Sequence, residues 1–175
     1  MKRPIHLYIF VTLSTIATLI NRVWSAFFTN PAAAEVLAEQ QSSLGVGTKE
    51  ELLSLYKSLL EAQVGIFYKV FAILLLLALI VTIVFLFQKK NELASYVYIG
   101  YLFGTLIQAV YAYVTTKGLY AGIANETLRV TLEATALGTF IVGTIFFVIY
   151  FGLTVFFLLR KPKEVPSMVT NATDI

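Results

Sequence analysis

The chain contains no cysteine and a single histidine among 175 residues. Disulfides, thiol chemistry and haem attachment through thiols are excluded, and His6 cannot hold a metal without partners at ligand spacing. No glycine-rich phosphate loop, nucleophile elbow or catalytic carboxylate pair occurs, and no cofactor is implied. Charge is scarce as well: 13% of residues are charged against 58% hydrophobic. The mean hydropathy of +0.81 is far from the soluble average.

What is there is four long apolar segments, 7–28, 64–88, 93–115 and 134–159, each of 22 to 26 residues. A bilayer core of about 30 Å needs about 20 residues of helix. Helix is required because lipid cannot satisfy backbone hydrogen bonds. The expected fold is an all-α integral membrane protein, a four-helix transmembrane bundle in one domain, 1–175. Lys2-Arg3 followed by an apolar run, with Ala32-Ala33-Ala34 downstream, has features of a signal peptide. Asn21, Arg22 and Trp24 interrupt that pattern, and the run is long enough to span, which favours an uncleaved helix.

Charge sets the expected direction. The N-terminal tail, the turn 89–92 and the tail 160–175 carry Lys2, Arg3, Lys89, Lys90, Arg160, Lys161 and Lys163 beside only Glu92, Glu164 and Asp174. Segments 29–63 and 116–133 carry four basic residues against seven acids. Basic flanks stay in the cytoplasm, so both termini and the 89–92 turn are expected on the cytoplasmic side of the cell membrane, and 29–63 and 116–133 on the outer side. The pI of about 9.1 is then a topology signal, with no nucleic-acid partner implied. Asn125-Glu126-Thr127 would form a glycosylation acceptor on the outer side.

The first outer loop has helical signals of its own. Asn30 before Pro31 is a favourable cap, Gly45-Val46-Gly47 breaks the chain, and Thr48 with Glu51 forms a capping box. The segment 48–63 is amphipathic, with Leu52, Tyr56, Leu59 and Leu60 on one face. Such a helix lies on the membrane or the bundle, or offers a docking surface for a partner. Gly118 and Gly122 mark the end of the third helix region, and Asn125 is positioned to cap an extension into the fourth.

An internal repeat adds to this pattern. Thr18-Leu19-Ile20-Asn21-Arg22-Val23-Trp24 matches Thr105-Leu106-Ile107-Gln108-Ala109-Val110-Tyr111, with amide for amide and aromatic for aromatic, departing only at Arg22/Ala109. Leu60-Glu61-Ala62 likewise matches Leu132-Glu133-Ala134. Two parallel-repeated helical hairpins would result, related by an axis along the membrane normal.

Arg22 stands fifteen positions beyond Leu7, about 22 Å up from the inner boundary and roughly 8 Å below the outer one. Lys69 enters from outside to a similar depth, and Gln108 rises to it from inside. This layer has two readings. In one, Arg22 and Lys69 snorkel to the headgroups with Glu61 and Glu133 as partners, and Asn21 hydrogen-bonds Gln108 between helices. In the other, Asn21, Arg22, Lys69 and Gln108 line an outward-facing anion site, with Glu133 as the protein partner of Arg22. Ser14, Thr18, Asn21 and Ser25 mark the inward face of the first helix. Tyr96, Gly100, Gly104 and Gln108 on the third helix, and Thr131, Thr135, Thr139 and Gly143 on the fourth, form stripes rich in small residues and expected to pack on each other. The second helix, apolar all round over 73–87, is expected to be the most lipid-exposed.

The spans hold no carboxylate near mid-membrane to titrate, and no group equipped for catalysis. The function expected is that of a non-enzymatic accessory, regulatory or protective subunit. It would sit in the lipid bilayer and act through a larger membrane protein or through self-association. The competing expectation is a small oligomeric transporter or channel with a polar site around Arg22, Lys69 and Gln108.

Overall fold

The computed structural model describes residues 5–45 and 47–160. Lys2, Arg3, Lys161, Lys163, Glu164 and Asp174, which contribute to the charge asymmetry, lie outside the described residues, as does the tail beyond Arg160. Six helices make up the described chain, with no strand among the described residues. They are α1 (Ile5–Phe28), α2 (Ala33–Ser43), α3 (Lys49–Gln63), α4 (Ile66–Phe87), α5 (Asn91–Tyr120) and α6 (Glu126–Leu159). Four of them, α1, α4, α5 and α6, are long and apolar enough to cross a membrane. At 30 and 34 residues, α5 and α6 rise about 45 and 51 Å, well beyond the expected spans 93–115 and 134–159.

The surplus length has a packing reason. At one end of the bundle α2 and α3 fold back over α5 and α6, and Ala38, Leu52, Leu55, Tyr120, Ile123 and Leu128 form a buried cluster. Burying those side chains holds the last turns of α5 and the first turns of α6 helical despite their polar sequence. The apolar face of α3 is thereby used within the chain, with Leu52 at 1% exposure.

Two of the expected caps are present: Thr48 accepts from the Glu51 N–H at 3.3 Å and Asn125 from the Leu128 N–H at 3.1 Å. Each satisfies a donor that a helix start leaves open. Asn30 does not cap α2; it accepts from the Ala32 N–H at 3.0 Å in the turn ahead of the helix, whose N-cap position is Ala32 without a side-chain bond. The chain break after α2 falls at Gly45, whose φ of 72° suits a residue without Cβ. The capping box is only half formed. Glu51 reaches across to α6, where its carboxylate accepts from the N–H groups of Ala124 and Asn125 at 3.0 and 3.2 Å.

A second cluster fills the opposite half of the bundle: Leu7, Val11, Leu75, Leu79, Leu86, Ala94, Tyr98, Tyr101 and Leu102. It joins α1, α4 and α5. The α4–α5 turn closes by a Schellman arrangement, with the Lys89 N–H bonded to the Leu86 carbonyl and the Lys90 N–H to the Phe85 carbonyl. Lys89, at φ 60°, takes the left-handed position where glycine is usual.

Helix α4 is not the most exposed of the four. It lies between α1 and α5 with 28% of its most apolar window buried, whereas α6 has 6%. An all-round apolar helix fits a site between neighbours as well as one facing lipid. The small-residue seam expected between α5 and α6 is also absent. A Cβ on Gly104 would meet Leu75 Cδ2 of α4 at 2.8 Å, while Gly100 and Gly143 face open space and Thr135 and Thr139 are exposed. Aromatic contacts form the α5–α6 seam instead, with Phe103 on Phe147 and Phe151, and Tyr113 on Phe140. The reason is geometric. Residues four apart on a helix drift about 40° per step, so the stripe from Tyr96 to Gln108 winds about 120°. Tyr96 is consequently exposed where Gln108 is buried.

Candidate functional site

Two hydroxyl pairs tie α1 to α5 through the bundle. Ser14 lies 2.8 Å from the Tyr98 hydroxyl and Thr18 lies 2.8 Å from the Tyr101 hydroxyl, and both bonds are buried. The inward face expected from Ser14 and Thr18 is therefore the α1–α5 contact. In a membrane each such bond contributes about 0.6–2 kcal/mol.

Immediately after Thr18 the helix widens. Over Thr18–Val23 it is a π-helix, closed by the Trp24 N–H on the Leu19 carbonyl. Bonding five residues apart widens the turn, so the residue one turn beyond Thr18 shifts towards Arg22 and away from Asn21. Single π turns of this kind are frequent at functional sites. Nothing in the periodicity of α1 signals this turn; the only cue is the polar pair Asn21-Arg22 inside an apolar run.

Above the hydroxyl pairs, towards the α2–α3 cap, is a pocket of about 280 Å³. Asn21, Arg22 and Ser25 line it from α1, and Gln108, Ala109, Ala112, Thr115 and Thr116 from α5. Tyr68 of α4 forms its back, and Leu59, Ala62 and Gln63 of α3 its roof. The two repeat-related segments thus contribute Asn21 and Arg22 from one side and Gln108 and Ala109 from the other. Their backbones differ, since the α1 copy is the widened turn and the α5 copy is regular helix.

Asn21, Arg22 and Gln108 come together as the residue count predicts; the other expected members do not. Lys69 follows Tyr68 and Glu61 precedes Ala62, and one residue along a helix is a 100° turn away from the pocket. Glu133 belongs to α6, which supplies none of the lining. The expected Arg22–Glu133 pair is not formed; the ion pair among the described residues is Lys49–Glu39, at 3.8 Å. Gln108 is 4% exposed, and its Oε1 lacks any hydrogen-bond partner, including the expected Asn21. A buried amide oxygen without a donor costs about 1–3 kcal/mol, so this atom requires an explanation.

A second pocket of about 260 Å³ lies between α1 and α4 at the other end. There Tyr8 donates to the Leu86 carbonyl and Thr15 to the Val11 carbonyl, so those hydroxyls are already engaged. Of the two, only the first combines a cation with an unpaired buried acceptor. Its lining carries no carboxylate, imidazole or thiol.

Residues 1–167 match the profile of a domain family described as a domain of unknown function (DUF8777), and the chain belongs to that family. No curated protein and no solved structure matches it.

Proposed function

We propose that this DUF8777 member is a non-enzymatic integral membrane protein of four spans, with both termini in the cytoplasm. It acts as an accessory subunit that binds a ligand at its outer end and works through a larger membrane partner. The charge distribution supports the orientation, with the α2–α3 cap outside and the Lys89-Lys90 turn inside.

The observation that carries the reading is the floor of the pocket. Beneath Arg22 the Thr18–Tyr101 and Ser14–Tyr98 pairs are packed among Leu75, Leu79, Leu102 and Val11, all at most 5% exposed. A polar pocket closed at its floor by apolar packing suits binding and disfavours conduction through one chain. Without a carboxylate, imidazole or thiol in the lining, it does not suit catalysis either.

Support for a partner comes from α6. It is the least covered of the four long helices, and Thr131, Thr135, Gly138, Thr139 and Gly143 are all exposed on it. Small residues let a neighbouring helix approach closely.

Two experiments test the proposal. Ser43→Cys and Thr116→Cys should react with an impermeant thiol reagent on intact cells, and Ser167→Cys should not. In liposomes the purified protein should pass no chloride or phosphate. A flux that is lost in Arg22→Gln would overturn the accessory reading in favour of the small transporter.

A further inference from the structure

We infer that the pocket binds the headgroup of an anionic, hydroxyl-bearing phospholipid, which enters from the side between α1 and α6. The inference rests on the membrane reading above and names the ligand of that same site.

Arg22 sets the charge. It is a permanent cation lining the pocket with no carboxylate beside it. Its planar fork suits the oxygens of a phosphate.

The walls set the route. Helices α1, α3, α4 and α5 all contribute to the lining and α6 does not. The ring contacts joining α1 to α6 are His6–Phe157 at 4.0 Å and Phe10–Tyr150 at 5.0 Å, both at the far end of the bundle. At the pocket α6 supplies no wall, which leaves the side between α1 and α6 as the entry and, on the membrane reading, turns it to the bilayer. Arg22 stands six residues before the end of α1, about 9 Å along its axis, a depth from which its long side chain extends up to headgroup level. A volume of about 280 Å³ takes a headgroup and leaves the acyl chains in the bilayer.

The remaining polar groups narrow the headgroup. An ammonium group would find no carboxylate in the lining, which disfavours ethanolamine and choline. Gln108 Oε1 needs a donor, and a neutral hydroxyl supplies one. A phosphodiester of charge −1 with a polyol headgroup meets both demands, and phosphatidylglycerol is the probe.

The single tryptophan offers a readout without mutation. Trp24 lies two residues from Arg22 and is 62% exposed. In bilayers of neutral lipid, brominated phosphatidylglycerol at low mole fraction should quench its fluorescence more strongly than brominated phosphatidylcholine. Equal quenching by the two would overturn the inference. In detergent, phosphatidylglycerol should raise the unfolding temperature where phosphatidylcholine and phosphatidylethanolamine do not. Arg22→Gln should weaken that binding about tenfold or more, whereas Gln108→Met should remove the advantage of phosphatidylglycerol over phosphatidic acid. A response unchanged in Arg22→Gln would place the lipid elsewhere. If glycerol phosphate alone protects the protein as well as the lipid does, the pocket takes a free anion; the lipid assignment then fails and the binding function stands. If neither protects, both fail.

Discussion

Thr18 Oγ1 on α1 lies 2.8 Å from the Tyr101 hydroxyl on α5, at the first residue of the widened turn that carries Arg22. The two hydroxyls have no water to fall back on, since Thr18 is 0% and Tyr101 5% exposed. The bond therefore links the floor of the pocket to the α1–α5 contact.

Removing one partner should cost more than removing both. Tyr101→Phe leaves the Thr18 hydroxyl without its partner and should destabilise the protein by about 1 kcal/mol. Thr18→Val with Tyr101→Phe should cost less than the sum of the single changes. Thermal unfolding of the four proteins in one detergent checks this, and strictly additive losses would show that the bond carries no coupling.

Gly104 marks a close approach of α4 and α5. A Cβ there would stand 2.8 Å from Leu75 Cδ2, and Leu75 is itself 3% exposed with little room to yield. Gly104→Leu should lower the unfolding temperature clearly, by an overpacking cost of about 1–3 kcal/mol. Gly143→Leu, facing open space, should be close to neutral. Leu75→Ala should partly rescue Gly104→Ala. Equal effects at Gly104 and Gly143 would disprove the α4–α5 approach.

Glu51 joins the α2–α3 cap to the start of α6 through two backbone N–H groups. Glu51→Ala should expose the Ala124 and Asn125 amides to faster hydrogen exchange and loosen the cap by about 1–2 kcal/mol. Exchange in the core around Tyr98 should not change. Protection at Ala124 that survives the substitution would mean other contacts hold the cap.

Much of this architecture was legible in the sequence because it depends on local chemistry. Apolar length marks the four long helices, and Thr48 and Asn125 cap because a short oxygen-bearing side chain suits a helix start. Counting 1.5 Å per residue was enough to bring Asn21, Arg22 and Gln108 to one level. Neighbour identity was not legible. The stripe through Gly104 identifies a face without saying which helix meets it, and Glu133 was assigned to Arg22 by height alone. The π turn escaped for a related reason: an extra residue in one turn leaves the composition of α1 unchanged while rotating every residue beyond it. The extended ends of α5 and α6 depend on Leu52, Tyr120 and Leu128 meeting, residues far apart in the chain.

Lys89 occupies a left-handed position that costs a residue with Cβ about 1–2 kcal/mol. Lys89→Gly should relieve most of that, offset by the greater chain entropy of glycine, for a net gain of about 0.5–1 kcal/mol. The substitution also removes one of the two lysines of the turn proposed to lie inside. In a topology assay it should weaken the orientation bias, most visibly once Lys90 is replaced as well. A Lys89→Gly protein less stable than the parent would contradict the backbone geometry of the turn.

Arg22 separates a binding role from a structural one by the sign of its effect. A structural cation is paired, and deleting it leaves a carboxylate behind and destabilises the fold. Arg22 lines a pocket with no carboxylate, and no ion pair among the described residues offsets its desolvation. A charge at the bilayer centre costs about 2.5–3.5 kcal/mol on insertion scales, and less at this depth. Arg22→Met keeps an unbranched, flexible side chain, somewhat shorter, and removes the charge. In lipid-free detergent it should raise stability by about 1 kcal/mol, the usual trade of stability for function at a site kept for binding. With phosphatidylglycerol present the order should reverse, because only the parent gains from the anion. The crossing of the two stability series is the measurement. If Arg22→Met is destabilised in lipid-free detergent as much as Gly104→Leu, Arg22 supports the fold and the pocket is incidental to it.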